Sequence, residues 1–471
     1  MKKTKIVCTV GPASNNRETL RKMIEAGMDV MRLNFSHGSH EEHKKNIDLM
    51  KELREETGKH IGIMLDTKGP EIRTGEFKEP VMLEQGRKFV LTGRDIPGTA
   101  EGCSVSYKAL SEDVSAGSRI MIDDGLIELK VEEVSGIDVI CTVVNSGTVS
   151  SKKGINLPGV RTNLPSVTEK DIDDLIFGAE CQVDFIAASF VRKAEDVRQI
   201  RRILDENGGE EIRIIAKLEN QEGVERLDEI IAEADGIMVA RGDMGVELSP
   251  EQIPLIQKKI IKACNKAGKP VITATQMLDS MIRNPRPTRA EVGDVANAIF
   301  DGTDCVMLSG ETAAGKYPAA AVEMMRNIAV ETEKSLDYQL ILEQKKKHQD
   351  EDVTNAIGYA TCIVAANLKA RAILTASASG FAGRMVAKFR PKAPIIVTTG
   401  SEITARRLSV TWGTFPVIIK EQDSEEKIFS QSIEAVLSET DWLKPGDKVI
   451  FTAGFPFGKS GSTNMMKVHV I

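Results

Sequence analysis

Ile212-Arg213-Ile214-Ile215-Ala216 runs into Lys217-Leu218-Glu219-Asn220, and after one helical stretch Gly236-Ile237-Met238-Val239-Ala240 runs into Arg241-Gly242-Asp243. Apolar strands joined by a helix in this way lie parallel. Each stops abruptly at a cluster of charge, so a lysine and two carboxylates fall at the same ends of neighbouring strands. Glu219 and Asp243 suit a divalent metal such as magnesium, with Lys217 a fixed cation beside it. In a (β/α)8 barrel that end of the strands carries the chemistry. The stretch reads as part of an enzyme acting on an anionic substrate.

Working outward, eight short apolar segments repeat the pattern: Lys5–Val10, Asp29–Leu33, Ile61–Leu65, Asp184–Ala188, Ile212–Ala216, Gly236–Ala240, Val271–Ala274 and Cys305–Leu308. Continuous apolar interiors alternating with helices fit a closed α/β barrel better than an open sheet. Thr168-Glu169-Lys170-Asp171 predicts a capping box, and Ser249-Pro250 a cap followed by proline, with Gly268 ending that helix. Between the third and fourth segments the chain changes to glycine-rich turns, an Asp124-Gly125 turn and alternating Ile127, Leu129, Val131. This predicts an inserted, mainly antiparallel β domain, placed to act as a lid. After a polar stretch, Glu343 to Asp352, strands at Ala372–Leu374, Ile395–Val397, Val417–Ile419 and Val449–Phe451 predict a separate open α/β domain. The expected division is a (β/α)8 TIM barrel at 1–70 and 166–340, a β-barrel-like lid at 71–165 and an α/β effector-binding domain at 341–471.

Composition narrows the class. At 471 residues several domains are expected, and a formal charge of -7 argues against general nucleic-acid binding. No apolar run approaches the roughly 20 residues of a membrane span. Seven scattered cysteines, none in a C-x-x-C pair, suit a reducing cytoplasm. His37, His40 and His43 sit among polar neighbours and read as solvated or capping residues rather than metal ligands.

The other strand ends carry their own chemistry. Asn34, Ser36, Asp66 and Thr67 supply oxygens with only one carboxylate among them, a set suited to a monovalent cation such as potassium. Arg32, Lys68 and Arg73 add positive charge for phosphoryl oxygens. The backbone of Gly242-Asp243-Met244-Gly245 can hold a carboxylate. Thr275, Ser309 and Glu311 close the ring from strands seven and eight. In the lid, Lys152 and Lys153 stand in a glycine-bounded turn, where a phosphate contact on closure competes with a solvated surface pair.

Several motifs together closely resemble the pyruvate kinase family. They are Met31-Arg32-Leu33-Asn34-Phe35-Ser36-His37-Gly38, Asp66-Thr67-Lys68-Gly69-Pro70-Glu71-Ile72-Arg73, Ile214-Ile215-Ala216-Lys217-Leu218-Glu219-Asn220 and Ala240-Arg241-Gly242-Asp243-Met244-Gly245-Val246-Glu247. Ala274-Thr275-Gln276-Met277-Leu278-Asp279-Ser280-Met281 and Met307-Leu308-Ser309-Gly310-Glu311-Thr312 continue the match. The resemblance implies phosphoryl transfer from phosphoenolpyruvate to ADP, giving pyruvate and ATP in the last step of glycolysis. It implies that Arg32, Lys217, Gly242, Asp243, Thr275 and Ser309 contact phosphoenolpyruvate, and that Arg73, Lys152, Asn34 and His37 contact the nucleotide. Magnesium (or manganese) falls to Glu219 and Asp243, and potassium to Asn34, Ser36, Asp66 and Thr67. Glu71 stands where potassium-dependent members carry glutamate. Lys217 would stabilise the transferring phosphoryl group, which fits a loose transition state that spreads negative charge over its oxygens. Thr275, through water, is the candidate proton relay to the enolate, with Glu311 the runner-up.

The resemblance extends to an effector loop at Ser377, Ser379 and Gly380, where Ala378, Phe381 and Ala382 argue against fructose 1,6-bisphosphate. A sugar monophosphate or nucleotide is the expected effector, and a homotetramer without the further phosphate-transfer-like domain of some bacterial members is the expected assembly. The competing readings are a magnesium-dependent lyase or aldolase on the same barrel, which has no use for Arg73 and Lys152, and a catalytically silent sensor.

Overall fold

Eight parallel strands close a barrel in the computed structural model, which describes residues 1–346, 351–420, 424–455 and 463–471. They run Lys5–Thr9, Val30–Asn34, Gly62–Asp66, Phe185–Ala188, Arg213–Leu218, Gly236–Ala240, Val271–Ala274 and Cys305–Leu308. Neighbours follow chain order. The first strand closes the ring by pairing with both the second (Val7 opposite Val30) and the eighth (Lys5 opposite Cys305). Strand residues alternate between two cores. Val30, Met64, Ile215, Met238 and Ile272 fill the barrel, while Met31, Leu65, Ile214 and Ile237 face the surrounding helices.

One strand end differs from the sequence reading in a way that matters. The fifth strand continues through Lys217 and Leu218, with Lys217 opposite Met238. The lysine is therefore held by the barrel ladder itself rather than by a loop. Helix starts divide in their fidelity. Thr168 makes the expected capping box with Asp171 over Glu169–Glu180. Ser249 makes no side-chain cap; a 3-10 turn at Pro250–Gln252 precedes helix Ile253–Ala267, which ends at left-handed Gly268 as expected.

The insertion forms a seven-stranded sheet in the order Ile72–Arg73, Gly154–Asn156, Arg119–Ile122, Ile127–Ser135, Asp138–Val143, Lys88–Thr92, Gly102–Ser104. All neighbours are antiparallel except the last pair. A Thr74–Val105 bridge and a bond from Gly75 N to Ser104 O (2.8 Å) join its two edges, so the sheet curls toward a small barrel. Ile127, Leu129 and Val131 point into its core, as their alternation requires.

The last sheet has five strands in the order Thr414–Ile418, Ile395–Thr399, Ala372–Ala376, Lys448–Ala453, Met465–Val470. Only the final strand is antiparallel, and the sequence reading did not include it. Of the polar stretch at 343–352, the start lies in helix Tyr338–Lys346, and 347–350 lie outside the described residues. The sheet's domain meets the N-terminal end of the barrel. Arg390 clamps Asp304 at 2.8 and 3.0 Å, and Arg406 reaches Asp184 at 2.7 Å, both aspartates preceding barrel strands. The opposite end stays open to the lid.

All seven cysteines are free and buried, as small core residues. Among the described residues no helix is long and apolar enough to cross a membrane.

Candidate active site

Period-two alternation places the charge. Val7, Val30, Met64, Ala187 and Ile215 belong to the barrel's inner core. The residues two positions later share their face, so Thr9, Arg32, Asp66, Ser189 and Lys217 form the next layer at the mouth. Asp66 stands at its centre. Arg32 Nε donates to Asp66 Oδ2 at 2.6 Å, and Lys217 Nζ donates to Oδ1 at 3.1 Å. Arg32 Nη1 also donates to Thr9 Oγ1 (2.8 Å), and Lys217 Nζ to Ser189 Oγ (2.7 Å). Glu219 Oε1 lies 2.9 Å from Lys217 Nζ, while its Oε2 accepts from Phe190 N at 2.5 Å.

Burial opposes every charge here, and the neighbours decide the outcome. Burial would raise the Asp66 carboxyl, but Arg32 and Lys217 hold it below the usual carboxylate range. Burial would neutralise Lys217, but Asp66, Glu219 and Asp243 keep its ammonium firmly charged. Glu219 is the group left short. Burial, with nearby Asp243, pushes its carboxyl up to about 7 despite Lys217, whose charge it shares with Asp66. Two cations thus face three carboxylates, which leaves a local excess of negative charge that a further cation would relieve.

Asp243 lies in the short helix Arg241–Glu247 after strand six. Arg241 does not point at a substrate. Its guanidinium grips the carbonyls of Ala274 (3.1 Å) and Thr275 (2.7 Å) and pairs with Asp294 (2.8 Å). That grip holds Thr275 at φ +67, a left-handed conformation costing a β-branched residue roughly 1–3 kcal/mol. Its hydroxyl accepts from Gly242 N at 2.8 Å and donates to Ala274 O at 2.7 Å. Glu311 is buried, and its carboxylate accepts from Leu278 N (3.0 Å) and Ser309 N (2.7 Å), tying the loop after strand seven to the end of strand eight.

Above the mouth, lid and barrel enclose a cleft of about 640 Å³. Arg73, Lys152, Asp124 and Asn156 line it from the lid, and Phe190, Asn220, Asp243 and Glu247 from the barrel. Arg73 is fixed by Glu71 (2.8 Å) and by the carbonyl of Lys152 (2.7 Å). Lys152, itself left-handed at φ +59, pairs with exposed Glu76 at 3.0 Å. Lys153 also lines the cleft and pairs there with Asp123 (3.0 Å). Asn156 Nδ2 donates across the gap to Glu247 Oε1 at 3.0 Å. Asn34 and His37 are not among the residues lining this cleft.

The chain matches a known family over nearly its whole length. Residues 1–322 match the family model "Pyruvate kinase, barrel domain", and residues 355–469 match "Pyruvate kinase, alpha/beta domain". The chain is 52% identical to the pyruvate kinase of Clostridium acetobutylicum over 473 residues, covering all of both chains. It is also 52% identical to those of Staphylococcus haemolyticus and Sporosarcina psychrophila, covering all of this chain and 81% of each relative. The chain belongs to the pyruvate kinase family. It is an enzyme, a phosphotransferase.

Within that family frame, the remaining sequence candidates take their places. Asn34 stands opposite Asp66 in the barrel register, and its Oδ1 accepts from Ser36 N at 3.2 Å. Thr67 Oγ1 accepts from Ser189 N at 3.1 Å. Asp66, read as a cation ligand, spends both oxygens first on Arg32 and Lys217. His43 is not solvated: it is buried and stacked 4.0 Å from Phe35, and burial lowers its pKa. His40 bonds Asp174 at 2.6 Å. In the α/β domain, Ser377 is buried, Gly380 is left-handed at φ +73, and the Ala378 carbonyl accepts from Thr404 Oγ1 at 2.7 Å. Sequence reading missed Thr9, Ser189 and Phe190. The signal for the first two was present, since each lies two residues beyond an inner-core position. Phe190 contributes through its backbone, which no side-chain motif reveals.

Proposed function

We propose that the mouth of this barrel transfers the phosphoryl group of phosphoenolpyruvate to ADP, giving pyruvate and ATP, the last step of glycolysis. The observation that carries the reading is the buried Arg32–Asp66–Lys217–Glu219 layer beneath a cleft lined by Arg73 and Lys152. Arg32 and Lys217 are fixed in position before substrate arrives, so they meet the spreading charge of the transferring group without reorganising. Gly242, Asp243, Thr275 and Ser309 would seat phosphoenolpyruvate. Arg73 and Lys152 would take the nucleotide from the lid, with Asn34 and His37 approaching it only on closure. Thr275 would relay the proton to the enolate after its hydroxyl leaves the Ala274 carbonyl; Glu311 would position that loop.

The donor chemistry fits the expected ions. Among the described residues no group of three or more His, Cys, Asp or Glu is placed to hold a metal ion by itself. A two-carboxylate set, Glu219 and Asp243, leaves most of the shell to water and substrate oxygens, as magnesium prefers. When bound, that ion would neutralise phosphoryl charge, and it would keep Glu219 ionised. Asn34, Ser36, Asp66 and Thr67 would hold potassium. We further propose the division into barrel (1–70, 166–340), lid (71–165) and effector domain (341–471). A sugar monophosphate or nucleotide effector at Ser377, Ser379 and Gly380, a homotetramer and a cytoplasmic location complete the reading.

Pyruvate release from phosphoenolpyruvate, ADP and magnesium, with and without potassium, tests it. ADP-dependent release rising strongly with potassium is expected. Folded protein that releases no pyruvate under these conditions would sink the kinase reading.

A further inference from the structure

At the other end of the barrel, a second cavity of about 130 Å³ lies between the starts of strands four to seven and the α/β domain. Phe185, Arg213, Asp235 and Pro270 line it from the barrel, and Arg384, Arg407 and Thr411 from the α/β domain. Lys269 also borders it, but its ammonium is spent on the carbonyls of Ile231, Ala232 (2.8 Å) and Ala234 (2.7 Å).

The three guanidiniums are not spent. Each carries five N–H donors in a planar fork. Arg213 pairs with Asp235 at 2.9 Å. Arg407, buried, reaches Glu211, yet its Nε is buried with no partner. Arg384 makes a single hydrogen bond, to the carbonyl of Ser379 at 3.2 Å, and no ion pair among the described residues. Burial and the like charges of Arg213 and Arg407 push its pKa down to about 10. Gathering three guanidiniums against two carboxylates, Asp235 and the largely exposed Glu211, is costly unless an anion completes the set.

We propose that this cavity binds a phosphate-class oxyanion, held jointly by Arg213, Arg384 and Arg407. Planar forks converging from two domains match a tetrahedral oxyanion better than a point charge would. The space takes inorganic phosphate or the phosphoryl end of a small phosphorylated molecule. Binding would tie helix Phe381–Ala387 to the barrel, and through the Ser379 carbonyl it would be felt in the loop at 377–380.

Crystals of the full chain soaked in selenate, a tetrahedral dianion with an anomalous signal, test the location. A peak among the three guanidiniums is expected, lost in Arg384→Gln while peaks elsewhere persist. Solution binding is read from Trp412, next to Thr411 in the cavity wall, in a Trp442→Phe background with no other tryptophan. Phosphate should shift its emission saturably, and Arg384→Gln should weaken that affinity about tenfold or more. Inorganic phosphate and glycerol 3-phosphate, titrated separately, tell the free anion from a phosphoryl ester. If Arg384→Gln does not fold, Arg213→Gln serves in both arms. No selenate peak in this cavity, a peak unchanged by either substitution, or emission that responds equally to chloride at matched ionic strength would each overturn the proposal.

Discussion

Replacing Lys217 with methionine separates what this residue does for the fold from what it does for chemistry. The ammonium lies within 3.1 Å of Asp66, 2.9 Å of Glu219 and 2.7 Å of Ser189, all out of water. Removing one partner of such a buried set costs about 3–5 kcal/mol, because the remaining charges lose their compensation. The cost depends on pH, and its sign follows from Glu219. That carboxyl is already raised from 4.5 to about 7, and without Lys217 it rises further. A carboxyl raised on folding binds its proton more tightly in the native state, so stability falls as pH climbs through the window above 4.5. Lys217→Met should therefore be only mildly destabilised near pH 5 and most destabilised near pH 8. Catalysis should suffer at every pH. A fixed donor aimed at transition-state charge contributes about 10²–10³ in kcat, and a buried full charge stands at the upper end. The assays are urea unfolding at pH 5, 6, 7 and 8 in metal-free buffer, and ADP-dependent pyruvate release. Equal destabilisation at pH 5 and 8 would refute the charge argument. A kcat within tenfold of the parent would refute the catalytic role.

Arg73→Ala should raise the KM for ADP about tenfold, the worth of a charge-assisted contact, and leave that for phosphoenolpyruvate nearly unchanged; steady-state kinetics with each substrate varied will tell. Glu71→Lys should weaken the dependence on potassium, read as the ratio of rates with and without the ion; an unchanged ratio would count against the Asn34–Ser36–Asp66–Thr67 site. Glu219→Gln should bind magnesium at least about tenfold more weakly by calorimetry, having lost one of two carboxylate ligands. Asn156→Ala removes one of the bonds that join lid to barrel, beside those from Arg192 to Thr162 and Leu164, and should speed proteolysis in the lid-hinge segments of the substrate-free protein without changing its melting temperature by more than ~2 °C.

How much of this was legible in the sequence depends on which physical signal carried it. All eight barrel strands were, because a strand buried on both faces needs an unbroken apolar run, and helices with caps such as Thr168 separate the runs. The lid followed from the reversal to alternating Ile127, Leu129 and Val131. Strand Met465–Val470 was not legible: it is an antiparallel edge with inverted burial, in which Val468 and Val470 are exposed while Lys467 and His469 pack on the ring of Phe429. The buried state of His43 escaped for a related reason. Its neighbours in sequence are polar, but its neighbour in space is the ring of Phe35. The site divided along the same line. Lys217, Glu219 and Asp243 were read from charge at strand ends. The bridging role of Asp66 was not, since pairing with Arg32 and Lys217 depends on three strands meeting around a ring.

That ring explains why the mouth can hold so much charge. A closed barrel fixes each inward side chain from both neighbouring strands, so Asp66 keeps its two cations without help from mobile loops. The energy that opposes burying Arg32, Asp66, Lys217 and Glu219 comes out of the hydrophobic layer directly beneath them, where Val30, Met64, Ile215 and Met238 pack. The ordering matters for function: hydroxyl contacts and ion pairs hold the cations before a substrate arrives, and of the four charged groups only Glu219 is left under-compensated. A site built this way is short of one cation when empty, which couples metal binding to the ionisation of the very carboxylate that would hold it. Stability of the metal-free protein should accordingly decline from pH 5 to pH 7 as Glu219 is forced to ionise, and saturating magnesium should flatten that slope.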